Sequence, residues 1–182
     1  TYKLGSLQKA EWHIAPDGGA RLVYSYIFNG VVDLMGVKFD LPETEVKHKE
    51  WLGCGPYRVW KNRIHGPQLG VWANDYNDPV PGESFDYPEF KGYFAGVQWM
   101  KLQTKTGMIT ICPGTDKDYV GVYQPRDGRD QLLYTLPETG ISMMQVIPAV
   151  RNKVNTTDLN GPSAQPVWAN GSYTGEVTLH FD

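Results

Sequence analysis

Apolar residues in this chain recur at every second position and almost never at helical spacing, and that period decides what it can fold into. In Gln8–Ala15 (QKAEWHIA) and Ala20–Asn29 (ARLVYSYIFN) apolar and polar residues alternate, and Pro16–Gly19 (PDGG) supplies the turn of a strand pair. In Asp33–Pro42 the apolar set is Met35, Val37, Phe39 and Leu41, which is expected to face a core. Glu45–Gly53 reads as the next strand, with Val46, His48 and Glu50 opposite Lys47, Lys49 and Trp51. Strands resume at Gly92–Thr104, turn through Lys105–Gly107, and continue at Gly107–Pro113, Asp118–Gln124, Gly140–Pro148 and Ser172–Asp182.

Between these runs the period is lost. Pro56–Pro88 is rich in Gly, Pro, Asn and Asp and is expected to be a long loop, the kind that carries function. Arg151–Gly171 reads as a second, polar loop. Only Arg129–Leu136 offers a helix, of one or two turns. About nine or ten strands with a turn signal every ten or so residues imply an all-β fold, a large antiparallel β-sandwich. No repeat or linker divides residues 1–182, so a single domain is expected.

Composition narrows the function classes. A net charge of −3 gives no reason to expect a nucleic-acid partner. No apolar run is long enough for a membrane span. The polar start TYKLGSLQKAEW lacks the apolar segment of a signal peptide, and a chain beginning at Thr1 is expected to be a processed or excised piece of a longer protein. Cys54 and Cys112 are too few for a disulfide framework and are expected as packed thiols, although one bridge is possible in principle. Aromatic residues make up 13% of the chain, which favours β structure and surfaces for flat or amphipathic ligands.

The chemical motifs are mostly absent. His13, His48, His65 and His180 lack metal-ligand spacing, and no metal or cofactor is expected. Asn74–Pro79 with Glu83 offers oxygen ligands, but Asn and Asp capping their own turn explains them better than calcium. The serine in GPSAQP does not sit in a nucleophile elbow, and there is no phosphate loop. Two sites, Asn155 and Asn170, fit the short glycosylation pattern. Asp75, Asp78, Glu83 and Glu89 lie near one another in sequence, but nothing makes two of them converge as a glycosidase pair. The aromatic residues say more. Tyr57, Trp60, Trp72, Tyr76, Phe85 and Tyr87 cluster in the irregular middle, among polar groups able to bond sugar hydroxyls. Either they pin the loop to the sandwich or they form a carbohydrate cleft.

The densest stretch is EWLGCGPYRVWKNR, Glu50–Arg63. With Met35–Pro42 (MGVKFDLP) before it, it resembles the C-terminal β-sandwich domain of β-galactosidase-like enzymes, glycoside hydrolase family 2. Family members read roughly R-I-G-x-x-F-x-L-P and then W-x-G-x-G-P-x-E-N-Y-x-D-R. Trp51, Gly53, Gly55, Pro56 and Arg63 occupy the matching places, as do Pro88, Glu89, Gly92 and Trp99 in a later segment. Trp12–Tyr24 is similar to the family's early hairpin, so by motif the resemblance runs from about Gly5 to Leu102. Where the family reads E-N-Y-x-D-R, this chain has Arg58–Arg63 (RVWKNR), so its polar contacts there must differ.

The resemblance implies a galactose-mutarotase-like supersandwich at the end of a multidomain glycoside hydrolase. The catalytic glutamates would then lie on a separate TIM barrel of the parent chain, and this domain would be a non-catalytic accessory that buttresses the barrel and shapes its carbohydrate cleft. The candidate substrate-binding residues are Trp60, Asn62, Arg63, Trp72 and Glu89, with carbohydrate and the barrel as partners and a periplasmic or secreted location. In some members a late loop lends a ring to the sugar; here Asn160–Trp168 has none before Trp168. Gly53, Gly55 and Pro56 are expected to turn the chain out of its strand, with Trp51 facing the core. The alternatives are an independent carbohydrate-binding module that uses the Trp60 and Trp72 loop, and an aldose epimerase, which would need a histidine and a carboxylate across one cleft.

Overall fold

The computed structural model describes residues 6–41, 46–75, 92–122, 140–150, 159 and 161–182. Within them the chain is all-β and antiparallel. Its strands are β1 (Leu7–Ile14), β2 (Ala20–Val32), β3 (Met35–Phe39), β4 (Val46–Val59), β5 (Gln68–Asp75), β6 (Tyr93–Thr104), β7 (Met108–Pro113), β8 (Tyr119–Gly121), β9 (Ile141–Val146) and β10 (Val167–Phe181). The described residues contain no α-helix, only a 3-10 turn at Pro162–Ala164. The Arg129–Leu136 segment lies outside them.

The strands follow one path, β1-β2-β10-β7-β6-β8-β9-β3, with β4 added beside β6 and β5 beside β4. Strand β6 belongs to two sheets. Its C-terminal half pairs with β7, with Met100 opposite Ile111, while Phe94 near its start pairs with Val120 of β8. The chain thereby makes a sandwich: β8, β9 and β3 on one side, the larger sheet on the other. Tyr24, Tyr26, Trp51, Val97, Met100, Leu102, Ile111 and Val177 of the larger sheet meet Met35, Val120, Ile141 and Met143 of the smaller one in a single core. Alternation builds much of this directly: every second residue points inward along β2 and from Met100 to Thr104 of β6. The expected inward set of β3 is found there, with Met35 buried and Val37, Phe39 and Leu41 packed against the core.

Phe94 sits where the two sheets join. It has no exposed surface, its ring meets Trp51 at a steep angle with centroids 4.8 Å apart, and the Arg58 guanidinium lies 5.6 Å from its centroid. At the other end of the path, β1 and β3 face each other across an apolar cavity of about 590 Å³, with Trp12 and Phe39 in ring contact at 6.0 Å. Leu7, Ala10, Leu22, Phe28 and Val37 are among its lining residues. The sandwich is closed at β6 and open here.

Three expectations change. The chain does not leave the sheet at Gly53–Pro56: β4 continues to Val59 through a cis Gly55–Pro56 bond, with its register against β6 shifting between Cys54 and Val59. The expected loop contains a strand, β5, because Gln68–Gly55 and Asp75–His48 pairing runs the length of the β4 hairpin. Strand β10 starts at Val167, not Ser172, and Trp168 pairs with Val31. Cys54 and Cys112 are both free and half-buried, and burial raises the Cys112 thiol above its ordinary pKa.

Replacing Phe94 with Ala removes the ring that both sheets share. The expected loss is about 3–5 kcal/mol in urea unfolding, and a variant with an unshifted midpoint would show that the junction is not where the sheets are held together.

Candidate functional site

The end of β4 and the turn after it hold three of the five residues singled out from the sequence. Trp60, a candidate for sugar contact or for pinning the chain to the sandwich, is placed for the second. It is 1% exposed and stands edge-on to Tyr93, with centroids 6.0 Å apart and planes at 90°. Val59, Met144, Ile147 and Val150 complete this second core cluster. The cause is the continuation of β4, which carries Trp60 back between the sheets where a turn at Pro56 would have sent it outward. Arg58 is also enclosed, with 8% exposure.

Asn62 is a structural clamp. Its Nδ2 donates to the Val150 carbonyl at 2.8 Å, and its Oδ1 accepts from the Val150 amide at 2.9 Å. One side-chain amide thus pairs with a backbone residue as a β-strand neighbour would. Beside it, the Lys61 amide donates to the Pro148 carbonyl at 3.0 Å, and Lys61 Nζ donates to the Gln165 carbonyl. Burial lowers the Lys61 pKa, partly offset by the Asp33 charge. Arg63 closes the turn through its backbone, donating to the Trp60 carbonyl at 2.8 Å, and leaves its side chain exposed.

Trp72 lies on β5, in register with Trp51 of β4. Its Nε1 donates to the Gln68 carbonyl at 3.1 Å, and its ring lies so close over Gly55 that a Cβ there would come within 2.6 Å of it. Gly55 is therefore required by the approach of the indole. Trp72 is half-buried and packs against the main core. Glu89 lies outside the described residues, as do Tyr76, Asp78, Glu83, Phe85 and Tyr87. The structure thus gathers Trp60, Asn62 and Arg63 into one turn and assigns Trp60 and Asn62 to holding it. Trp72 sits apart on the β4–β5 hairpin.

The exposed apolar residues lie elsewhere. On the outer face of the β2–β10 pair, Trp168 is 74% exposed and stands directly across from Val31, at 58%, with Ile27 further along the same face. Asn29, Asn170 and Ser172 surround this strip, and Asn29 Oδ1 accepts from the Gly171 amide at 2.8 Å. A second strip, Leu69 and Val71, faces out from β5. The signal for the first strip was in the sequence: alternation in VWANGSYTGEVTLHF already begins at Val167 and puts Trp168, Asn170 and Ser172 on one side.

Catalytic groups do not gather on either strip. His13 and His48 are exposed sheet-face residues, and His48 Nδ1 lies 2.9 Å from Asp75 Oδ1. Among the described residues no group of three or more His, Cys, Asp or Glu is placed to hold a metal ion. No helix among them is long and apolar enough to cross a membrane. No protein-family model and no curated protein matches the chain.

The Asn62 clamp carries a direct expectation. Asn62→Ala costs about 2–4 kcal/mol, because two hydrogen bonds to a buried backbone residue are lost. Asn62→Asp, which keeps only the acceptor, falls between. A residue serving only to contact sugar would leave the thermal midpoint unchanged in both variants.

Proposed function

We propose that this chain is a non-catalytic accessory β-sandwich of a carbohydrate-active enzyme, of the kind found at the C-terminus of family 2 glycoside hydrolases, and that the strip around Trp168 is its working face. The observation that carries this reading is the exposure of a Trp, a Val and an Ile in register on the rigid outer face of β2 and β10. A strip of that kind on an otherwise polar strand pair marks a contact surface. An indole on a strand offers a flat apolar face to the C–H face of a pyranose or to a neighbouring domain, and the surrounding amides and hydroxyls suit sugar hydroxyls.

Two further features support the same reading. The apolar cavity between β1 and β3 opens at the two ends of the strand path and offers a neighbouring polypeptide both an apolar pocket and sheet edges. The W-x-G-x-G-P element resembles the family's, and its residues have structural work here: Trp51 packs the junction, and Gly55 admits the Trp72 ring. The domain would then serve the active site by presenting a formed surface, with the catalytic carboxylates supplied by a separate barrel.

The test has two arms. The isolated chain should not hydrolyse 4-nitrophenyl β-galactoside above the buffer rate. In the full-length product of its gene, Trp168→Ala should lower kcat/KM for that substrate about tenfold, the value of one lost aromatic contact, without moving the thermal midpoint. Hydrolysis by the isolated chain, or an unchanged kcat/KM in the variant, would contradict the reading.

A further inference from the structure

Strand β8 is the thinnest joint in the sandwich. It is three residues long, touches β6 through the single pair Phe94–Val120, and is otherwise held by three pairs with β9. At its entrance stands Asp118, 4% exposed, with Oδ2 enclosed and without a hydrogen-bond partner. A buried carboxylate lacking a partner is among the costlier groups a core can hold. Among the described residues no cation lowers its pKa, and burial is the cause that acts on it. The Tyr24 and Tyr26 phenols of β2 lie within range of its charge, and both are held above their ordinary pKa by burial first and by Asp118 second. The Tyr24 hydroxyl is enclosed and likewise has no partner.

The other neighbours are already engaged. The Tyr26 hydroxyl bonds Gln145 of β9, whose amide donates to the Thr174 carbonyl of β10 at 2.8 Å. Tyr173 of β10 stacks on Tyr26 at 5.6 Å. Glu176 of β10 is paired with Arg21 at 2.5 Å. Asp116 and Lys117, on the loop leading to Asp118, are exposed.

We propose that Asp118 is a proton-operated latch for β8: neutral, it lets the strand close against the sandwich, and ionised, it loosens it. A neutral carboxyl is far cheaper to enclose than a charged one, and ionisation leaves an uncompensated charge between the sheets. Burial raises the Asp118 pKa to about 6 from the usual 3.8. Because the folded state holds the proton more tightly than the open state, the stabilisation is complete below the unfolded value. It declines as pH rises from there through about 6 and is fully lost above. The domain is therefore tighter in mildly acid than in neutral solution.

Hydrogen exchange across β8 and β9 tests this. After correction for intrinsic exchange, the opening constant of amides 119–121 and 142–144 should be about tenfold larger at pH 8 than at pH 5, and Asp118→Asn should remove that dependence. An Asp118→Asn profile parallel to the wild type would overturn the proposal. If that variant does not fold, the wild-type profile decides: no excess over intrinsic exchange overturns it, and an excess confined to these strands upholds it.

Discussion

The sandwich depends on one strand shared by two sheets, and on the ring that sits where they part. Near its start β6 must serve β4 and β8 at once, and further along it serves β4 and β7. A strand that changes partners carries backbone groups that water cannot reach, so the side chains at the change must be fully packed. Phe94 meets this need between Trp51 and Arg58. The guanidinium over the ring is one contact that favours a buried arginine at the junction. Away from this point, along β2 and the C-terminal part of β6, the core follows from alternation.

The Gly-Pro element is best understood from the same junction. Gly53 and Gly55 leave room on β4 for close neighbours: the backbone of Ala95 to Val97 over the first and the Trp72 ring over the second. With that room the strand stays in the sheet past Pro56, delivers Arg58 to Phe94 and Trp60 to Tyr93, and then turns at Asn62 onto Val150. The density of rings and charges in this stretch reflects how many elements it has to join. A contact surface needs different properties, a rigid strand and side chains with nothing above them, and the β2–β10 face has both.

Much of this was legible. Alternation placed β1, β2, β3, β6, β7 and β9 and gave the class and the inward face of β3. It failed where a local rule was overridden. A register shift between Val46 and His48 brings Val46 to the inward side that Lys49 and Trp51 share, so strict alternation misleads at the start of β4; the Lys49 ammonium donates to the Asp75 carbonyl at 3.0 Å. Strand β5 is preceded by Gly and Pro and is apolar on its exposed side at Leu69 and Val71, which hides its period. The candidate site was harder to read, because whether Trp60 faces water depends on one event, continuation of β4 through Pro56. Trp168 was passed over because Gly171, with φ of 101°, looks like the end of a loop when it is an irregularity inside β10.

The proposal that most needs testing is that the Trp168 face, and not the Gly-Pro turn, would be the surface this domain gives to a parent enzyme. Hydroxyl-radical footprinting of the isolated chain and of the full-length gene product tests it side by side. The account predicts rapid oxidation of Trp168 in the isolated chain, protection of Trp168, Val31 and Ile27 in the full-length protein, and no change at Ile64 and His65. Equal oxidation of Trp168 in both, with protection appearing at Ile64 and His65, would contradict it.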